Sequence, residues 1–183
     1  RNRTVTKKER SCAGVPGNGM PGGQRAGKIM FILDTENLIN TLKENNQTLW
    51  EYALNQEMER SGRTREELRE QMDQSLSVME RSAQKARREP VRSVSGLTGG
   101  NACLYEQYRQ EGKSLLGEVA SLAVGMALSC SEINASMQCI VACPTAGSCG
   151  IVPAAVLACA QSRGLDRECM VNALFTASAI GII

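Results

Sequence analysis

The stretch TREELREQMDQSLSVMERSAQKARR, residues 64–88, decides the fold class. Its opening residues, Thr64-Arg65-Glu66-Glu67, predict a capping box, in which the threonine oxygen and a glutamate satisfy each other's free backbone amides. Apolar residues then recur every three or four positions, which predicts one long amphipathic helix. We expect this stripe to pack within the same chain, with docking on another subunit as the alternative. The stripe consists of Leu68, Met72, Leu76, Met79, Ala83 and Ala86.

The composition extends the helical prediction to the rest of the chain. Of the 183 residues 42% are hydrophobic but only 3% are aromatic, so the core must be built from aliphatic side chains. Ala, Leu and Met favour helices, and the aromatic and β-branched runs typical of strands are scarce. Thr48-Leu49-Trp50-Glu51 predicts a second capping box. Asp34 and Asp166 are expected N-caps and Gly164 a C-terminal stop, which together predict an all-α fold.

A change of composition divides the chain. Pro90 and the glycines of residues 95–101 interrupt the helical pattern. Beyond them the sequence is rich in small residues. We therefore predict an N-terminal helical segment, residues 30–88, and a second helical region, residues 89–183.

The two ends of the sequence gave rise to separate expectations. Residues 1–29 hold seven Lys or Arg and one Glu, without the apolar stretch of a signal peptide. Gly27-Lys28 is encoded by purine-rich codons resembling a ribosome-binding site, so we expect translation to begin at Met30 and residues 1–29 to be untranslated or disordered. Residues 179–183 are apolar and uncapped, which we interpret as the end of a fragment.

Charge and cysteine content exclude several classes of protein. Residues 30–183 hold fourteen basic and eighteen acidic side chains, which is unlike a nucleic-acid-binding face. No apolar run reaches the roughly 18 residues that span a membrane. Eight cysteines without a secretory signal predict a reducing, cytoplasmic location.

The cysteines allow two interpretations. The sequence contains no histidine, which removes the commonest general base and metal ligand. The spacing of Cys139, Cys143 and Cys149 is compatible with a metal site. The alternative is that the thiols are buried, as free cysteines commonly are. We expect burial for Cys130, Cys159 and Cys169, which have apolar neighbours.

Two polar loops are the candidate binding elements. Residues 143–153, CPTAGSCGIVP, place hydroxyls and glycines before a helix that should begin near Pro153. Backbone amides beside a helix N-terminus suit a carboxylate or phosphate. Residues 95–101, SGLTGGN, have the same makeup. The two loops could together hold a small amino or hydroxy acid, although tight turns without a ligand fit the composition equally well.

These loops also mark a resemblance. Residues 143–153 closely resemble the Pro-Thr-Ala-Gly-Ser segment of the alpha subunits of bacterial iron–sulfur-dependent L-serine dehydratases. Residues 95–100 resemble their glycine-rich loop, followed by Gly112-Lys113-Ser114. The likeness covers about residues 30–183 and implies that residues 89–183 are the N-terminal part of the family's helical catalytic domain. Further similar segments are residues 55–59, 71–80, 132–137 and 175–181.

The resemblance implies deamination of L-serine, or of a related hydroxy amino acid, to pyruvate and ammonia without pyridoxal phosphate. In this family a [4Fe–4S] cluster acts as a Lewis acid on the substrate hydroxyl, a base removes the α-proton, and the resulting enamine hydrolyses. Holding the substrate is then expected of the two loops. The candidate substrate-binding residues are Ser95, Thr98, Gly99, Gly100, Thr145, Gly147 and Ser148.

The sequence departs from the family pattern in one respect. The family's cluster cysteines lie in a Gly-Cys motif and a Cys-Asp-Pro…Pro-Cys motif, which would come after residue 183. No metal ligand is therefore assigned in this chain, and the fragment alone is expected to be inactive. The family also implies a beta subunit as partner. Two other interpretations remain open: a metal-binding module using Cys139, Cys143 and Cys149, and a helical scaffold that docks a partner through the 64–88 stripe.

Overall fold

Helices make up most of the computed structural model, which describes residues 35–181. Apart from the isolated bridge between Arg92 and Gly99, these residues form no β-structure, so the all-α prediction is confirmed. A short 3-10 turn, Ala146–Ser148, lies between the fifth and sixth helices. The helices are α1 (Thr35–Glu44), α2 (Leu49–Ser61), α3 (Arg65–Arg88), α4 (Asn101–Gln110), α5 (Glu118–Ala135), α6 (Ile151–Arg163) and α7 (Arg167–Ile180).

The helix ends follow the capping chemistry expected from the sequence. The Thr64 amide donates to Glu67 Oε2 at 2.9 Å, and the Glu67 amide donates to Thr64 Oγ1 at 3.3 Å. These two hydrogen bonds form the predicted capping box at the start of α3. Thr48 starts α2 in the same way, donating its amide to Glu51 Oε2 at 2.9 Å.

The last two helices are also bounded as expected. Gly164 ends α6 in the left-handed conformation, with φ 62°. Asp166 caps α7 by accepting the Cys169 amide at 2.8 Å. The predictions for Asp34, for Met30 and for residues 1–29 lie outside the described residues.

The apolar stripe of α3 packs inside the chain, as predicted. Leu76, Ala83 and Ala86 are fully buried, and Leu68 and Met79 are nearly so. Much of this stripe forms one core with Leu122 and Met126 of α5 and with Val171, Leu174 and Phe175 of α7. Residues on both sides of the proposed boundary after residue 88 therefore contribute to a common core, and that boundary itself stays a prediction. None of the described helices is long and apolar enough to cross a membrane.

The cysteines are distributed differently from the prediction. Cys130 is buried in the core, as expected, but Cys159 and Cys169 are exposed, so the prediction of burial is wrong for these two. Cys159 lies between Ala158 and Ala160, which face the core, and therefore points outward from α6. Cys169 lies in the first turn of α7, where its backbone serves the cap.

Candidate substrate site at the C-terminal end of α5

The glycine-rich loop between α3 and α4 has a backbone that requires glycine. Gly99 has φ 141° and Gly100 has φ 82°, which L-residues with side chains rarely adopt. A Cβ on Gly99 would lie 2.2 Å from the Val91 carbonyl oxygen. That oxygen accepts the Gly100 amide at 3.1 Å, which closes the loop immediately before α4.

Hydroxyl groups hold the outer part of this loop. The Ser93 amide donates to the Thr98 carbonyl oxygen at 2.9 Å, and the Thr98 amide donates to Ser93 Oγ at 3.2 Å. Ser95 Oγ lies 3.1 Å from Ser93 Oγ and accepts the Leu97 amide at 3.4 Å. Ser95 and Thr98, both candidate substrate-binding residues, are exposed on this turn.

The second candidate loop is the 3-10 turn before α6. Thr145 Oγ1 accepts the Ser148 amide at 3.3 Å, and Ser148 Oγ donates to the Cys143 carbonyl oxygen at 2.9 Å. The two hydroxyl oxygens are 3.0 Å apart. Thr145 and Gly147 are exposed and Ser148 is half-buried, so this turn presents small polar groups at the surface.

The two glycines near this turn differ in how much space a side chain would have. A Cβ on Gly150 would lie 2.8 Å from the Ala127 carbonyl oxygen, so Gly150 allows the chain to approach α5 closely. A Cβ on Gly147 would meet only Thr145 Oγ1, at 3.9 Å. Packing within the described residues therefore requires glycine at residue 150 but not at residue 147.

Both loops are attached to the last turn of α5. The Val94 amide of the glycine-rich loop donates to the Ala135 carbonyl oxygen at 3.0 Å. Asn134 Nδ2 donates to the Ala146 carbonyl oxygen of the 3-10 turn at 2.9 Å. The structure thus brings the seven candidate residues, four on one loop and three on the other, to the same end of one helix.

The last turn of α5 ends in a conformation that is unusual for a residue with a side chain. Met137 has φ 58°, in the left-handed region. The Gln138 amide donates to the Ile133 carbonyl oxygen at 3.1 Å, which is the bond expected when a helix ends with a left-handed residue. The helix therefore stops sharply where the two loops are attached.

Glu132 lies beside the candidate loops, and no sequence pattern predicts a role for it. Its side chain, 8% exposed, reaches from α5 to the start of α4. There Glu132 Oε1 accepts the amides of Asn101, at 2.6 Å, and Ala102, at 3.3 Å. The N-cap of α4 is Gly100, which has no side chain, so Glu132 supplies the cap from another helix. Residues 132–137 resemble the family, but no local pattern indicates that the first of them caps α4.

The cysteines do not gather into a metal site. Cys139 is exposed, Cys143 half-buried and Cys149 buried. Among residues 35–181, no three His, Cys, Asp or Glu side chains lie close enough to hold a metal ion. Burial raises the pKa of the Cys143 and Cys149 thiols, and raises the pKa of Cys130 to about 11. The described residues therefore do not provide the set of ligands that the metal-module interpretation or a [4Fe–4S] cluster would need.

Comparison with known proteins defines the family. Residues 44–183 match the family model described as serine dehydratase alpha chain. Over 150 residues the chain is 41% identical to the probable L-serine dehydratase alpha chain of Bacillus subtilis, covering 82% of this chain and 50% of the relative. Over 144 residues it is 35% identical to the L-serine dehydratase alpha chain of Peptoniphilus asaccharolyticus, covering 79% and 49%.

A third relative, the probable L-serine dehydratase alpha chain of Latilactobacillus sakei, is 43% identical over 61 residues, or 33% of this chain and 29% of the relative. No solved structure matches the chain significantly. The chain spans about half the length of the first two relatives. Because residues 44–183 match the family model, the chain belongs to the serine dehydratase alpha chain family.

Proposed function

We propose that this chain is part of an L-serine dehydratase that converts L-serine into pyruvate and ammonia without pyridoxal phosphate. Similarity to two L-serine dehydratase alpha chains, one of them described as probable, supports this reaction. The observation that supports a binding role for this part of the chain is the attachment of two polar, glycine-containing loops to one turn of α5.

The loops offer groups suited to a small zwitterionic acid. Hydroxyl groups of Ser95, Thr98 and Thr145 can donate to a carboxylate, while the Ser148 hydroxyl, which donates to the Cys143 carbonyl oxygen, fixes the turn beside it. Gly147 leaves space at the surface that packing of the described residues does not need. In the proposal, this space lets the substrate carboxylate approach the backbone of the 3-10 turn, while Gly99 and Gly100 give the other loop its shape.

The cofactor and the proton-transfer group are proposed to come from elsewhere. A [4Fe–4S] cluster is expected from the family resemblance, but residues 35–181 contain no set of side chains that fits one. We place its cysteines in the portion of the family's length that this sequence does not span. The sequence also has no histidine, so we propose that the beta chain provides the group that removes the α-proton.

The surface beside the loops supports the proposal of a partner. Val94 is 73%, Leu97 88% and Met137 82% exposed. Large apolar side chains clustered around polar loops are typical of an interaction surface. We propose that the beta chain covers them when the heterodimer assembles, which would also shield the substrate from water. A cytoplasmic location stays a prediction.

The proposal is tested by producing the complete alpha chain with its beta chain under anaerobic conditions and measuring pyruvate release from L-serine. We expect turnover, and we expect Thr145→Val to raise KM about 10-fold by removing one hydrogen-bonding hydroxyl from the carboxylate site. Thr176→Val on α7, away from the loops, is the matched control. Failure of the wild-type pair to release pyruvate from L-serine, or from L-threonine as the related substrate, would overturn the proposed function.

The placement of the cluster has its own test. The 183-residue chain, treated anaerobically with iron and sulfide, is expected to gain no stoichiometric iron–sulfur absorbance and to be inactive alone, whereas the complete alpha chain is expected to gain it. A full cluster in the shorter chain would contradict the assignment of its ligands to another part of the protein.

A further inference from the structure

Only one of the two carboxylate oxygens of the buried Glu132 has hydrogen-bond partners among the described residues. Its Oε1 accepts two amides at the start of α4. Its Oε2 is buried and has no hydrogen-bond partner among the described residues. None of the ion pairs formed by residues 35–181 includes Glu132. The α4 N-terminus provides a partial positive charge, and both of its hydrogen bonds to Glu132 go to Oε1.

Capping alone does not account for a carboxylate at this position. Glutamine would offer α4 the same carbonyl oxygen without placing a charge in the interior, and burying a charge without a partner is unfavourable. The feature that distinguishes glutamate is a second, charged oxygen. Glu132 itself belongs to the last turn of α5, to which both candidate loops are attached. The missing partner is therefore expected to be a cation with hydrogen-bond donors.

We propose that Glu132 is a specificity-determining residue that binds the ammonium group of a free α-amino acid. This rests on the proposed function, because it assumes that the loops hold the carboxylate of the same ligand. An ammonium group provides the charge and the donors that Oε2 lacks, and a charge-assisted bond of this kind distinguishes an amino acid from a hydroxy acid. Because Oε2 is buried, the ligand reaches it only through a local movement of the neighbouring chain.

The first test needs no variant. Wild-type complete alpha chain with its beta chain is titrated calorimetrically with L-alanine and with L-lactate, which differ in having an ammonium or a hydroxyl on the α-carbon. We expect L-alanine to bind at least 10-fold more tightly. Equal affinities would overturn the proposal, and because this measurement does not require turnover, that result is distinguishable from a failure of the proposed reaction.

The second test assigns the preference to this residue. In the complete enzyme, Glu132→Gln is expected to raise KM for L-serine about 10–100-fold, the loss of one charge-assisted hydrogen bond. The inhibition constant of glycerate, which lacks the ammonium group, should change less than 2-fold. Glu168→Gln, an exposed substitution on α7, is the matched control.

Two results of the second test would contradict the proposal. An unchanged KM would mean that Glu132 does not contact the substrate. An equal weakening of L-serine and glycerate would mean that Glu132 only positions the glycine-rich loop. If Glu132→Gln does not fold, the calorimetric comparison of L-alanine with L-lactate still decides whether the site discriminates by the ammonium group.

Discussion

The two buried glutamates at either end of α4 are neutralised in different ways. Glu106, near the C-terminal end, pairs with Arg87 at 2.8 Å and Arg109 at 2.7 Å, and Gln110 donates to it at 3.1 Å. Glu132, at the N-terminal end, has only backbone amides on one oxygen. The carboxylate of Glu106 is fully paired within the fold, whereas the proposal is that a bound ligand pairs the second oxygen of Glu132. Substitutions should therefore affect stability in the first region and binding in the second.

The largest effect on stability is expected from Glu106→Ala. The change leaves Arg87 and Arg109 partly buried without their counter-charge, which costs about 3–5 kcal/mol for a broken buried pair. Urea unfolding of the complete alpha chain would measure the loss. The control, Glu111→Ala, removes an exposed partner of Lys113 and should change stability by less than about 0.5 kcal/mol. Similar losses of stability in the two variants would contradict the structural role given to the Glu106 ion pairs.

A smaller effect should follow acidification. Burial raises the pKa of Glu106, but the hydrogen bonds from Arg109 and Arg87 outweigh it and lower the pKa to about 2 from the usual 4.5. A depressed folded-state pKa contributes stability that is present above pH 4.5 and is lost as pH falls toward 2. Stability curves of wild type and Glu106→Gln should therefore converge across that window. If the difference in stability between the two proteins did not change with pH, the lowered pKa of Glu106 would be contradicted.

Two glycines of the candidate loops should differ in the same way, with smaller effects on stability. Gly99→Ala should destabilise the complete alpha chain by about 1–3 kcal/mol, because its φ is unfavourable for alanine and its Cβ would clash with the Val91 carbonyl oxygen. Gly147→Ala has room within the fold and should change stability by less than about 0.5 kcal/mol. Unfolding midpoints and KM for L-serine distinguish the roles, since only Gly147→Ala should raise KM while leaving stability unchanged.

Local sequence signals predicted the helices well because their determinants are local. The capping partners Thr64 and Glu67 are three residues apart, as are Asp166 and the Cys169 amide, and the α3 stripe repeats with the helical period. Burial was harder to predict, because apolar neighbours in sequence do not say which way a side chain points. Cys159 shows this, since both adjacent alanines face the core and it does not.

The candidate site was only partly within reach of the sequence. The two loops stood out by composition and by resemblance, and their residues remain the proposed substrate contacts. The elements that fix the loops were missed because the partners are distant in the chain. Glu132 bonds to an amide about thirty positions earlier, and Asn134 reaches the next loop rather than its own helix. No spacing rule predicts such contacts, which depend on how α4 and α5 pack.

The attachment of both loops to residues 132–135 has a mechanical consequence. Val94 is held by a backbone hydrogen bond and Ala146 by a side-chain hydrogen bond to the same helical turn, which is therefore a common support for both loops. A displacement of this turn would therefore shift the attachment points of both loops together, so the positions of the two loops are coupled through α5.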